Sequence, residues 1–366
     1  MLSSNDPLAR KLYVSPNIFF ILRDGHIIAW DYKNHQQFEL ESRYFQRLIE
    51  LSSANSSINS NEVDSELLEA GLISETNEET KWEWDILSHI FHYGTSISTS
   101  DGLSSLFEPE NFIEDYLNHC KNTYLANDLI ESDLKLPKIP LPPADLDLLA
   151  NINFLSVLKN RRTCRSFIKK SLSINLLSTM LYSVFGDFHT STEEYKKYGF
   201  EKIGMRKTSP SGGGLHPTEA YLIAKDVDGL KKGIYRYSPL DHSLILINEY
   251  KQNQNLSEFL CGQYFADELP FGIFLTSRFD KLWKKYPHSR AYRIALFDVG
   301  HISQTFHLIS TALGLNSWLS GAFEDDKVAT LLNLTTPSER VVFFVGAGYG
   351  DGFAIDKIAR HLNNKG

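Results

Sequence analysis

Three arginines and a hydroxyl fall within five residues at Arg161-Arg162-Thr163-Cys164-Arg165. Guanidinium forks bind phosphate oxygens bidentately, and a hydroxyl completes such a cage. The same arginines at a helix C-terminus would also offset its macrodipole, so the cluster alone leaves both readings open. A second candidate is Thr208-Ser209-Pro210-Ser211-Gly212-Gly213-Gly214-Leu215-His216-Pro217-Thr218-Glu219-Ala220-Tyr221. Its three glycines carry no Cβ, so the backbone can come within contact distance of a flat ligand. Pro210 and Pro217 stiffen the two ends. Glycine marks ordinary turns as well, and what separates a ligand loop from a turn lies elsewhere in the chain. His89 and His92 stand three apart on an aromatic-rich segment with no third ligand near. Packing is the better reading there, and no metal is expected. The basic run 281–290 reads, taken alone, as a solvated loop.

The elements that must hold these residues follow from periodicity. A helix over 154–160 ends in the arginine knot, and 176–185 is an amphipathic helix stopped by Gly186. Residues 187–207 are polar and predict a mobile loop. After the glycines, 220–224 reads as a buried strand, 233–237 and 243–247 as a meander turning at Pro239 and Asp241, and 271–276 as a core strand. Ala295, Leu296, Val299, Ile302, Phe306, Ile309 and Leu313 keep helical spacing through His301, and Gly314 ends the run. That helix is apolar over more than one stripe, so it is central. The last core strand is 341–345. Gly346, Gly348 and Gly350 follow it, but Asp351 stands where a dinucleotide fingerprint needs glycine, and no βαβ unit follows.

Upstream, residues 12–32 predict a hairpin turning at Asp24-Gly25. Phe45, Leu48, Ile49 and Leu51 give a helix, 65–70 a second one closing on Gly71, and Leu72-Ile73 a strand. This pattern predicts a winged-helix-like unit over 1–80. Glu62, Asp64, Glu66 and Glu69 would repel phosphates from its recognition helix, so peptide recognition or scaffolding fits better than DNA binding. Residues 81–150 read as a helical connector, with helix over 112–124, and a linker of four prolines between 137 and 143. The catalytic domain is expected over 151–366. At 366 residues, two domains are the natural expectation. With 37 Lys and Arg against 45 Asp and Glu, no basic field exists to draw in nucleic acid or an anionic membrane. No apolar run approaches the ~20 residues that span a bilayer, and no signal segment is visible. Cys120, Cys164 and Cys261 form neither a disulfide framework nor a zinc pair. A soluble, cytoplasmic protein is expected.

Together these segments resemble a family. Arg161-Arg162-Thr163-Cys164-Arg165 is similar to the "RRSxR" phosphate site of nitroreductase-like flavoproteins. Pro210 to Tyr221 resembles the "PSGGxxHPxEaY" signature of the SagB-type dehydrogenase branch, and Gly229-Leu230 to Tyr237 its "veGLxxGxYxY". Ala291-Tyr292-Arg293 to Gln304 resembles "aYRxxxxexGHxxQn". The motifs occur in order across 151–366, with Thr163 for the usual serine and Thr305 for asparagine. The resemblance implies an α+β, nitroreductase-like FMN domain. Its central mixed or antiparallel sheet would be wrapped by helices, with flavin sites at a homodimer interface built by the 295–313 helix. It also implies an azoline dehydrogenase oxidising thiazoline or oxazoline rings of a ribosomally made precursor peptide beside a cyclodehydratase. Arg161, Arg162, Thr163 and Arg165 would grip the FMN phosphate. Pro210, Ser211, Gly212 and Gly213 would lie along the isoalloxazine, with Gly321 and Ala322 near its reactive edge. Hydride would pass to flavin N5, with Lys285 and Tyr286 handling the proton. Free lysine and tyrosine both titrate near ~10, so that role needs a tuned site, and Lys284, Arg290 and Arg293 lie close in sequence. Two other readings stay open: an NAD(P)H-dependent small-molecule nitro or ene reductase, which would not need 1–150, and a non-catalytic peptide-binding subunit.

Overall fold

The computed structural model describes residues 11–53, 61–77, 82–97, 137–189, 207–251, 254–286 and 288–363, together with positions 114, 118 and 197. The helix expected over 112–124 and most of the loop expected over 187–207 lie outside them. The chain divides into two units, Met1–Phe112 and Ile113–Gly366. Among the described residues no helix is long and apolar enough to cross a membrane.

In the first unit, β1 (Tyr13–Val14) precedes a hairpin of β2 (Ile18–Arg23) and β3 (His26–Asp31). Asp24 and Gly25 turn that hairpin with φ of 53° and 85°, the paired positive φ of a tight β-turn. β4 (Gln36–Leu40) adds a third antiparallel strand beside β3. It is absent from the sequence reading because only Phe38 and Leu40 mark its buried side. Helices α1 (Ser42–Ser53) and α2 (Asp64–Glu69) bury Leu48, Leu51 and Leu67 with Ala29 and Leu40. Gly71, at φ 70°, then turns the chain into β5 (Ile73–Ser74), which pairs antiparallel with β1. Asp64 does not face solvent as the acidic-helix reading supposed. It is buried and accepts from Arg47 Nε at 2.7 Å and Nη2 at 2.8 Å. In α3 (Ile86–Gly94) the buried His89 shares a 2.8 Å hydrogen bond between Nδ1 and Tyr32 Oη, and the ring of Trp82 lies beside both His89 and His92. The two histidines pack, and no group of metal-ligating side chains occurs among the described residues.

In the second unit the proline-rich segment is extended, and β6 (Lys138–Pro140) lies at one edge of a seven-stranded sheet. Proline is tolerated at an edge because its missing N–H breaks no inner ladder. Short helices α4 (Asp147–Ala150) and α5 (Phe154–Asn160) follow, then β7 (Leu172–Ser173), α6 (Ile174–Phe185), β8 (Thr218–Ala224), β9 (Val227–Asp228) and the meander of β10 (Gly233–Ser238) and β11 (Ser243–Asn248). Next come β12 (Phe271–Arg278), α7 (Phe279–Lys285), α8 (Ala291–Ala312), β13 (Asn316–Ser320), α9 (Asp325–Leu331), β14 (Glu339–Gly348) and α10 (Lys357–Asn363). The sheet order is β13-β14-β12-β8-β10-β11-β6, every neighbouring pair antiparallel. One face packs Leu222 and Leu275 against Leu181, Ile302 and Phe306 of α6 and α8. The other buries Phe274, Trp318 and Phe344 with Val328 and Leu331 of α9. Each such side chain contributes roughly 1.5–3 kcal/mol on leaving water, which fixes α8 on the sheet. The α+β expectation holds, with the sheet wholly antiparallel.

Candidate active site

Gly212–Gly214 form a single 3-10 turn in which Gly213 and Gly214 take φ of 61° and 67°. Only glycine enters that region without strain. The loop is held on one flank by α8. The buried carboxylate of Asp298 accepts from Ser211 Oγ at 2.5 Å and from the Gly212 N–H at 3.1 Å. Ser211 Oγ accepts in turn from the His216 N–H at 2.9 Å, and the hydroxyls of Ser209 and Thr305 meet at 2.7 Å. Burial pushes the Asp298 carboxyl above its ordinary range, against the pull of those two hydrogen bonds. On the other flank stands the end of α7. Lys285, buried, donates from Nζ to the Gly213 carbonyl at 3.0 Å. A Cβ on Gly213 would overlap Tyr286 Oη and stand 2.7 Å from Lys285 Nζ, while one on Gly212 would overlap Ile294 of α8. Gly213 therefore meets both residues of the Lys-Tyr pair, 72 positions away at Lys285.

The placement of α7 has its own cause. β12 ends at Arg278, whose guanidinium binds Asp280 at 2.9 and 2.6 Å and whose N–H donates to the Pro217 carbonyl at 2.9 Å. One turn before Lys285, Lys281 donates to Glu219 Oε1 at 2.7 Å. Burial pushes the Glu219 carboxyl up, but Lys281, with help from Lys207 and Arg236, more than offsets it and holds the pKa at about 2. Burial also lowers the Lys207 amine to about 8, against the attraction of Glu219. On the neighbouring strands, Glu339 accepts from Thr276 Oγ1 at 2.6 Å and from Tyr221 Oη at 3.1 Å. None of Asp298, Lys281, Lys207 or Glu339 was singled out from sequence. Asp298 left a signal, an acid inside the apolar stripe of Ala295, Val299 and Ile302.

The arginine cluster begins where α5 stops. Thr163 bridges to Ser317 of β13, the Cys164 N–H donates to the Ser317 carbonyl at 3.0 Å, and the Arg165 N–H to the Ala354 carbonyl at 3.0 Å. The segment is thus pinned by its backbone. Among the described residues the side chains of Arg161, Arg162 and Arg165 make no hydrogen bond and no ion pair. Three cations within five residues, none of them bound to a carboxylate, are suited to an anion. Arg161 lies near His307 of α8, which shares a 2.6 Å hydrogen bond between Nδ1 and Ser317 Oγ. Burial first, then Arg161, lowers His307 to about 4. Asp298 under the glycine loop and His307 beside Arg161 therefore lie on one helix, nine residues and about 13 Å of rise apart. Gly321 and Ala322 form an exposed turn past β13, where the Ala322 carbonyl accepts from Gln263 Nε2 at 3.1 Å. The structure thus brings Ser211, Gly212 and Gly213 together with Lys285 and Tyr286. Pro210 precedes them, exposed, and the 321–322 turn is tied to Gln263. The uncommitted Arg161 guanidinium near His307 and the Cβ-free backbone over Asp298, nine residues away on the same helix, fit a flat group bearing a phosphate.

The sequence profile of the nitroreductase family matches residues 158–349, more than half of the chain. MJ1384 of Methanocaldococcus jannaschii, which bears a nitroreductase name, is 29% identical over 186 residues, 51% of this chain and 87% of its own. The trifolitoxin-processing protein TfxB of Rhizobium leguminosarum bv. trifolii is 32% identical over 137 residues, 36% of each chain. The microcin B17-processing protein McbC of Escherichia coli is 29% identical over 150 residues, 39% of this chain and 54% of McbC. The chain spans 36% and 54% of these two peptide-processing relatives. Among solved structures, the E. coli microcin synthetase McbBCD complex with truncated pro-MccB17 bound aligns with a TM-score of 0.42 and 24% identity over 60% of this chain and 85% of that one. The resemblance to the SagB-type branch is thus borne out by relatives named for peptide processing.

Proposed function

The chain belongs to the nitroreductase family, whose members are oxidoreductases, and on that premise we propose that it is an FMN-dependent azoline dehydrogenase. It oxidises thiazoline or oxazoline rings of a ribosomally made peptide to thiazoles or oxazoles. The observation that carries this reading is the meeting of Lys285 and Tyr286 with Gly213. Arg161, Arg162, Thr163 and Arg165 hold the FMN phosphate, Pro210, Ser211, Gly212 and Gly213 lie along the ring system, and Gly321 and Ala322 stand at its edge. Bound FMN supplies the two-electron acceptor that no side chain offers. The azoline ring gives up a hydride and a proton, and the proton leaves to Lys285 Nζ as the neutral amine or to Tyr286 Oη as the phenolate. The hydrogen bond to Gly213 holds Nζ at one point, and burial keeps water from competing for the proton.

The partners follow from the same reading. Azolines are consumed here, so a cyclodehydratase supplies them. Residues 1–80, within the first unit, take up the precursor peptide. A second copy of the chain covers the exposed stripe of Tyr292, Leu296 and Phe297 on α8. Lys285→Ala and Tyr286→Phe should keep bound FMN and fold, and lose on the order of 10²- to 10⁴-fold in turnover of a thiazoline-bearing peptide. Unchanged peptide oxidation in both variants would remove the assignment.

A further inference from the structure

We propose that the half-buried Glu219–Lys281 ion pair is a positioning clamp that fixes the roll of α7, and so the placement of Lys285 Nζ and Tyr286 Oη against the glycine loop. The inference rests on the proton-handling role proposed for Lys285 and Tyr286. Lys281 and Lys285 are four apart on α7, hence on one face of the helix. Both reach the same stretch of chain: Lys285 Nζ donates to the Gly213 carbonyl at 3.0 Å, and Lys281 Nζ to Glu219 Oε1 at 2.7 Å. The two contacts are unequal anchors. A hydrogen bond from a lysine nitrogen to a neutral carbonyl is weaker than an ammonium–carboxylate pair, so the stronger hold lies one turn upstream of the residues that meet substrate.

α7 needs such a hold, because a helix of seven residues has little stability of its own. Phe279 and Leu282 anchor it to Ala291 and Ala295 through an apolar cluster, which sets its distance from α8 but resists rotation weakly. Glu219 is a firm counterpart. It lies on β8, paired with Thr276 of β12 in the interior of the sheet. Its carboxylate stays ionised near pKa 2 despite burial. Removing Lys281 leaves the Glu219 charge to Lys207 and Arg236 and cuts the tie from α7 to β8, and removing the Glu219 charge leaves Lys281 facing the repulsion of Lys207, so in either case the helix end loses its hold.

The test uses the FMN-loaded protein with Lys281→Met, the isosteric Glu219→Gln and the conservative Lys281→Arg. Two quantities are read: kcat and KM on a thiazoline-bearing peptide, and the rate of trace acetylation of Lys285 by acetic anhydride without substrate, mapped by peptide mass spectrometry. Lys281→Met and Glu219→Gln should keep flavin absorbance and KM while kcat falls on the order of 100-fold. Acetylation of Lys285 should rise roughly tenfold as its amine leaves Gly213, and Lys281→Arg should restore most of both. Unchanged Lys285 labelling in Lys281→Met and Glu219→Gln would overturn the clamp. So would a loss of turnover that only tracks the folded fraction. Lys285→Ala is measured alongside. Normal turnover in that variant would refute the role of Lys285 itself, while raised labelling in Lys281→Met would still uphold the clamp.

Discussion

Gly213→Ala and Gly214→Ala form a matched pair of perturbations. Both glycines sit in the left-handed region, at φ 61° and 67°, so each substitution costs about 1–2 kcal/mol of backbone strain. For a unit of this size that lowers Tm by roughly 2–8 °C. The surroundings of the new methyl group differ. At Gly214 a Cβ meets nothing within 4 Å, whereas at Gly213 it overlaps Tyr286 Oη and stands 2.7 Å from Lys285 Nζ and 2.9 Å from its Cε. Those atoms lie at the far ends of long side chains, so the protein relieves the overlap by shifting them from their hydrogen-bonded places and stays folded. The loss then falls on proton transfer. A displacement near 1 Å costs on the order of 100-fold in rate. Thermal denaturation, flavin absorbance after gel filtration and peptide oxidation read by mass spectrometry separate the outcomes. Equal Tm losses with activity lost only in Gly213→Ala are expected. Equal activity in the two variants would refute the reasoning, because it would mean that Lys285 and Tyr286 need no fixed place at Gly213.

Two further expectations concern the other end of α8. Arg161→Ala, Arg162→Ala and Arg165→Ala should each remove a charge-assisted hydrogen bond worth about 1.5–3 kcal/mol, weakening FMN roughly 10- to 100-fold by fluorescence titration; unchanged affinity in all three would move the phosphate elsewhere. His307 titrates near 4 when folded against 6.5 in the unfolded chain. Between these values the unfolded chain binds the proton and the folded one does not, so stability is lost as pH falls through that window, by about 3 kcal/mol in all. Urea denaturation across it should show the loss, and His307→Asn should remove it.

The strands were legible where apolar runs are long. β8, β12 and β14 carry Ala220 to Ala224, Phe271 to Leu275 and Val341 to Val345, and α8 keeps its stripe for 22 residues. β4 was not legible, because five residues with two apolar ones give no period. The glycine loop and the arginine cluster stood out by residue type and spacing, while their assignment to a flavin and the Lys-Tyr pair came from motif resemblance. What joins them did not, because those contacts cross the chain: Ser211 to Asp298 spans 87 positions, and Glu219 to Lys281 spans 62. Periodicity tells which side of an element is buried but not which element lies opposite. The basic run 281–290 shows the consequence. As a string of cations it reads as solvated, yet Lys285 is 4% exposed, because the sheet lifts Glu219 and the glycine loop against it.

Three consecutive glycines would ordinarily suggest a flexible loop, since glycine widens the accessible backbone space. Here the bonds made by the loop remove that freedom. Ser209 is held by Thr305, Ser211 and Gly212 by Asp298, and Gly213 by Lys285. Two helices therefore fix the loop from opposite sides, and the glycines serve shape: at Gly212 and Gly213 there is no room for a Cβ between the backbone and Ile294, Tyr286 or Lys285. A cradle already ordered loses little conformational entropy when a ligand enters. The effect of a larger residue at Gly212 or Gly213 should then come from displaced neighbours rather than from a stiffened loop, which is why Gly214, equally bare but facing open space, is the proper control.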